Sequence, residues 1–107
     1  TYAVDGSVRF TGNSNWFLIA TAESFNGQLG CPQGCTSNWF ATNAWGGLNY
    51  SVTPAGAVGH LEEPYVSGIN GPTYFAAWEA GFLFSEAAWL SRNTPYFIAV
   101  GDPLIMK

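Results

Sequence analysis

The longest early apolar block, "NWFLIATA" at 15–22, lies between the polar stretches "TGNSN" and "ESFNG". A continuous run of this length, bounded by turn residues, predicts a strand buried on both faces, as in a parallel sheet. Residues 55–61, within "AGAVGHLEEPY", form a shorter block of small apolar residues stopped by Glu62, Glu63 and Pro64, and predict a second strand. "YFIAV" at 96–100 predicts a third buried strand, ending at Gly101, Asp102 and Pro103. Upstream, "YAVDGSVRF" alternates weakly around Asp5 and Gly6 and reads as an edge strand or a small hairpin.

Between these blocks the apolar spacing changes from strand-like to helical. "TSNWFATNAWGG" opens with the cap-type residues Thr36, Ser37 and Asn38 and ends in Gly46 and Gly47, with Trp39, Phe40 and Ala44 near helical spacing. "GPTYFAAWEAG" places Pro72 near a helix start and Gly81 at its end. Phe75, Trp78 and Phe82 recur at three to four residues, giving one apolar face. "SEAAWLSRN" predicts a further helix with Ser85 as N-cap and Glu86 in the first turn, where a carboxylate suits the helix dipole. Pro95 ends it. The order strand, helix, strand, two short helices, strand follows βαβ logic. It predicts an α/β fold with a small, mainly parallel three-stranded sheet, right-handed crossovers and short flanking helices. Three strands are few for a self-standing sheet of this kind, so the N-terminal segment or a partner is expected to add to it.

Composition narrows what such a fold does. The chain is one domain, 1–107, with 48% apolar residues, enough for one modest core. Only 9% of residues are charged, against ~25% in an ordinary domain. Asn, Ser, Thr and Gly solubilise it instead, a composition of extracellular proteins. A surface with little charge repulsion self-associates readily. The net charge is −4 and the positive side chains are Arg9, Arg92 and Lys107. That is too few to neutralise several phosphates on one face, which excludes nucleic acid as a partner. The same shortage argues against docking on anionic membranes, and no apolar stretch is long enough to insert in one. The chain starts Thr-Tyr, without Met or a signal pattern, and reads as a processed piece of a longer precursor, whose remainder is then a candidate partner.

The thiols are Cys31 and Cys35, separated by Pro-Gln-Gly. A local disulfide is favoured over free thiols. A zinc site wants about four ligands and the sole histidine, His60, adds one, while the redox motif is one residue shorter. A disulfide fits an oxidising, secreted setting.

Three short stretches, "PAGAVGHLEEPY", "YFAAWEAGFLFSEAAWLSRN" and "YFIAVGDPLI", taken in order, resemble the closing segment of gingipain- and caspase-like (clan CD) secreted bacterial proteins. The matching residues are Gly81, Glu86, Ala87, Gly101, Asp102, Pro103 and Leu104; the resemblance covers about 54–105 and, more loosely, 16–27. It implies a caspase-like partial sandwich. In that family a catalytic His and Cys end adjacent parallel strands, His first in the chain, and the Cys closes a strand in a small-Cys-aromatic-small-Gly pattern. Here "ESFNG" stands at that place, with Ser24 at the nucleophile position. His60 follows Ser24 instead of preceding it, so the resemblance implies that this chain alone does not cleave peptides.

Each candidate site has a plain structural alternative. Ser24, His60 and one of Glu23, Glu62 or Glu63 would supply a hydrolase triad, but the strained G-x-S-x-G elbow is absent and a loop is the simpler reading. His60 is expected to pack at a strand end and hydrogen-bond a carbonyl. Glu62 and Glu63 are the weak candidates for calcium, which wants six or more oxygens, and no other cofactor is implied. Asp102 before Pro103 reads as a turn residue bonding its own backbone. Trp39, Trp45, Tyr50 and Tyr65 near loops suggest a glycan platform, whereas Trp16, Trp78, Trp89 and the phenylalanines read as core. Asn49-Tyr50-Ser51 is an N-glycosylation sequon. The leading expectation is a secreted, non-catalytic structural module that self-associates into fibres or oligomers, with Tyr2, Val4, Val8 and Phe10 on a strand that completes a neighbour's sheet. The alternatives are the C-terminal portion of a gingipain-like peptidase that needs its N-terminal half, and a glycan-binding module.

Overall fold

The structure, a computed structural model, describes residues 16–31, 35–41, 46–65 and 68–107. The N-terminal segment that carries Tyr2, Val4, Val8 and Phe10 lies outside the described residues, as does Trp45. Three strands, β1 (Leu18–Ala20), β2 (Gly56–His60) and β3 (Phe97–Gly101), form one sheet in the order β1-β2-β3. Two helices, α1 (Gly71–Glu79) and α2 (Phe84–Ser91), intervene between β2 and β3. This is a small α/β fold, as the apolar blocks predict.

The sheet is mixed, which corrects the expectation of a mainly parallel one. β1 and β2 are parallel, Leu18 opposite Gly56, but β3 runs antiparallel to β2, with His60 opposite Phe97 and Gly56 opposite Gly101. The reason is the number of helices in the connection. A single crossover helix carries the chain back to the starting end of the sheet. Two helices folded as a hairpin return it to the end it left. Here Asn70 N–H donates to the Ser91 carbonyl at 2.7 Å and Asn93 N–H to the Gly68 carbonyl at 3.0 Å, so the entry to α1 and the exit of α2 are tied together. β3 then has to start beside His60.

Helix α1 begins where the capping residues dictate. Asn70 accepts from the Thr73 N–H at 3.0 Å, Pro72 sits in the first turn, and the chain leaves through Gly81 at φ +84°, a left-handed conformation suited to glycine. Its buried face is Tyr74 and Trp78, one turn apart. Phe75 and Phe82, expected in the core, are exposed. Helix α2 starts one residue before the expected cap. Ser85 lies inside it, and the Glu86 carboxylate accepts from the Leu83 N–H at 3.0 Å. The next free donors, Phe84 N–H and Ser85 N–H, are taken by the Ile105 and Pro103 carbonyls of the C-terminal tail.

The core lies between this hairpin and one face of the sheet: Leu18, Val58, Tyr74, Trp78, Phe84, Ala87 and Ala88. All five residues of β2 are buried, while β1 and β3 are partly exposed edges rather than strands buried on both faces. The small residues of β2 have a packing cause. A Cβ on Gly56 would fall 2.3 Å from the Phe84 ring, so α2 approaches the sheet directly over backbone. On the other face lies the connection from β1 to β2. In place of the expected helix its described part holds two short 3-10 turns, Thr36–Trp39 and Leu48–Tyr50, the second with Asn49 and Tyr50 at positive φ. No helix among the described residues is long and apolar enough to cross a membrane.

Candidate functional site

The carboxyl ends of the parallel strands β1 and β2 are where sheets of this kind place their chemistry. The turn after β1 folds directly onto the end of β2. Asn26, 1% exposed, is the residue that joins them. Its side-chain oxygen accepts from the His60 N–H at 3.0 Å, its amide nitrogen donates to the Thr21 hydroxyl, and its backbone carbonyl accepts from Thr36 N–H at 2.8 Å. Around it, Gly27 N–H donates to the His60 carbonyl at 2.8 Å, and the Gln28 amide donates to the Leu61 carbonyl at 2.6 Å. A Cβ on Gly59 would lie 2.4 Å from the Thr36 hydroxyl and 2.7 Å from the Asn26 oxygen, so the strand has room for this polar layer only as glycine.

Ser24 and His60 are both at this end, but they do not form a dyad. The Ser24 hydroxyl donates to the Glu63 carboxylate at 2.5 Å. The His60 imidazole is 1% exposed; neither ring nitrogen meets full hydrogen-bond geometry, and the Glu23 carbonyl is the backbone acceptor close enough to act on it. Gly68 covers the ring: a Cβ there would fall 2.0 Å from Nε2. Burial pushes the imidazole pKa below its ordinary 6.5, against the opposing pull of the Glu23 carbonyl and the Glu63 carboxylate, which favour the charged form. Activation of a serine needs a base bonded to the hydroxyl and itself reachable. Here the serine points to a carboxylate and the histidine is sealed. The cluster acts as a clasp between the two strand-end loops.

Glu62 and Glu63 are exposed, and among the described residues no three His, Cys, Asp or Glu side chains come together as a metal-holding group. Cys31 and Cys35 are disulfide-bonded, with Cα atoms 5.6 Å apart, in the segment that follows the clasp. Asp102 makes the expected turn, accepting from the Leu104 N–H at 3.0 Å. Of the proposed glycan platform, Tyr50 and Tyr65 are exposed but stand in separate loops, and Trp39 is partly buried. Tyr50 lines a hollow with Trp16 and Ile105 instead.

A second region was not visible as a site in the sequence. Trp89 reads as core by its spacing, yet it is 65% exposed, with the Arg92 guanidinium stacked 3.5 Å from its ring centroid. Trp16, also read as core, is exposed, whereas Trp78 is buried as expected. Trp89 stands between two hollows. One, of about 480 Å³, is lined by Leu90, Arg92, Asn93, Thr94 and Pro95; the other, of about 460 Å³, runs between α2 and β3 along Ser85, Ala88, Phe97, Ala99 and Gly101. Among the described residues no strand pairs with the outer edge of β3. The i, i+3 spacing of Trp89 and Arg92 is the one sequence signal that pointed here.

Comparison of the chain with protein-family models, with curated proteins and with solved structures returns no match.

Proposed function

We propose that this chain is a secreted, non-catalytic structural module, built on a caspase-like α/β scaffold, that works by self-association. The observation that carries the reading is the outer edge of β3. It is an apolar strand, "FIAVG", without a charged residue or proline inside it, on a sheet of three strands with no described neighbour beyond it. Soluble proteins ordinarily protect such an edge with lysine, proline, a bulge or a covering helix, because its free N–H and C=O groups template pairing with another chain.

Three further features support it. The Ser24 hydroxyl is bonded to Glu63 while His60 is buried, an arrangement suited to holding loops rather than to attacking a substrate. Large apolar side chains stand exposed near the edge, including Trp89, Leu90 and Tyr96. The Cys31–Cys35 disulfide is compatible with an oxidising, extracellular location.

Sedimentation velocity on the intact chain between micromolar and millimolar concentration tests the proposal. The expected result is a reversible shift from monomer to a defined oligomer. A single monomeric species across the whole range would overturn it.

A further inference from the structure

Resting on the self-association reading, the geometry points to a particular partner and register: a second copy of this chain, paired through β3 about a two-fold axis at Ala99, so that two three-stranded sheets join into one of six.

The register follows from which backbone groups face outward. The Leu61 N–H donates to the Tyr96 carbonyl at 2.9 Å, one step beyond the His60–Phe97 pair, so the Tyr96 carbonyl points inward to β2, while its N–H donates to the Thr94 hydroxyl at 3.2 Å. Backbone direction alternates along an antiparallel strand, with both groups of a residue on one side. Phe97 and Ala99 therefore direct their N–H and C=O groups to the edge that no described strand occupies, and Gly101, at φ +148°, adds its N–H. A symmetric antiparallel pairing that uses those groups can be centred anywhere from residue 97 to residue 101, and only centring on Ala99 pairs all three of them. Centred there, Ala99 meets Ala99 of the second copy and Phe97 meets its Gly101 twice over, closing four hydrogen bonds, two at the Ala99 pair and one from each Gly101 N–H to a Phe97 carbonyl.

The side chains agree with that register from both faces. Phe97, Ala99 and Gly101 share the helix side of the sheet, since they lie opposite His60, Val58 and Gly56. Pairing Phe97 with Gly101 sets the largest side chain against none, and the axis holds only two methyl groups. On the other face Ile98 meets Val100 of the second copy, a β-branched apolar pair on each side of the axis. The same arithmetic sets Pro95 against Pro103, so each end of the ladder stops at residues with no N–H to give. The Asp102 carboxylate of one copy arrives opposite Tyr96 of the other. The groove of about 460 Å³ beside β3 keeps α2 clear of the edge and leaves space above it for the incoming strand.

The test compares the intact chain with Ala99→Lys, Ala99→Cys and the exposed-site control Ala80→Cys, using sedimentation equilibrium, circular dichroism and non-reducing electrophoresis after mild oxidation. Ala99→Lys sets two ammonium groups together at the axis, and the dimer dissociation constant is expected to rise roughly a hundredfold with the circular dichroism unchanged. If that variant does not fold, Ala99→Cys decides. Residues paired in this way have Cα atoms about 5.5 Å apart, within disulfide range, so it is expected to give a covalent dimer while Ala80→Cys stays monomeric. A parent chain that never self-associates overturns both this pairing and the function it rests on. A parent chain that associates normally but gives no Ala99→Cys cross-link overturns the pairing alone; its contact then lies elsewhere, with the N-terminal segment as the first alternative.

Discussion

His60 shows how a single residue at a strand end separates appearance from chemistry. A histidine beside a serine and two glutamates invites an acid–base role, yet burial under Gly68 has removed it from solvent. The cost of that burial is readable as pH dependence. The folded pKa lies below the unfolded value of 6.5, so below pH 6.5 the unfolded chain binds a proton that the folded chain refuses. Stability is unaffected by this group above pH 6.5 and falls as the pH drops from there toward the folded pKa. The slope is at most about 1.4 kcal/mol per pH unit for one proton. Urea unfolding measured from pH 8 to pH 5 is expected to show the decline beginning near 6.5, and His60→Gln is expected to flatten it. An unchanged profile in that variant would assign the acid sensitivity to the carboxylates. Sequence alone gave no access to this behaviour, because it depends on Asn26 and Gly68. Asn26 in particular reads as a turn residue in "ESFNG", and only its place between two strand ends turns it into a buried hub.

At the scale of elements, the legible features were those set by local chemistry. The β2 block of small residues, the Pro72 to Gly81 bounds of α1, the helical spacing of α2 and the Asp102 turn all arise from neighbours in sequence, and all appear in the fold. The direction of β3 does not. It was implicit in the two-helix connection, but it emerges only once the helices are known to fold back on each other. Burial of the helix faces failed for a related reason. The spacing of Phe75, Trp78 and Phe82 defines a stripe, whereas the sheet selects the stripe through Tyr74 and Trp78, leaving Phe75 exposed. The contact between α2 and the sheet supplies the test at this scale. Because the Phe84 ring rests on Gly56, Gly56→Ala is expected to lower the unfolding free energy by roughly 1–3 kcal/mol through overpacking. Adding Phe84→Leu to that variant is expected to restore part of the loss, measured as non-additivity in a double-mutant cycle. Full additivity would mean the ring simply moves aside.

For the whole molecule, the governing fact is how little charge it carries. Two copies with net charge −4 repel at all distances, while the proposed contact between them is a backbone ladder and apolar side chains. With centres ~30 Å apart in water, the unscreened repulsion is only about 2 kcal/mol. A Debye length of about 8 Å at physiological ionic strength removes nearly all of it, and at 0.01 M salt, where the length is about 30 Å, a little under 1 kcal/mol survives. Raising salt from 0.01 to 0.15 M is therefore expected to tighten self-association by about threefold to fivefold, with little further change up to 0.5 M. Exposed ion pairs respond in the opposite direction, since salt weakens pairs that are themselves worth ~1 kcal/mol or less. Sedimentation equilibrium across that salt series reads the balance directly. Association that weakens steadily with salt would mean that charge pairing, rather than the uncharged edge of β3, holds the copies together, and the central role given to that edge would have to be abandoned.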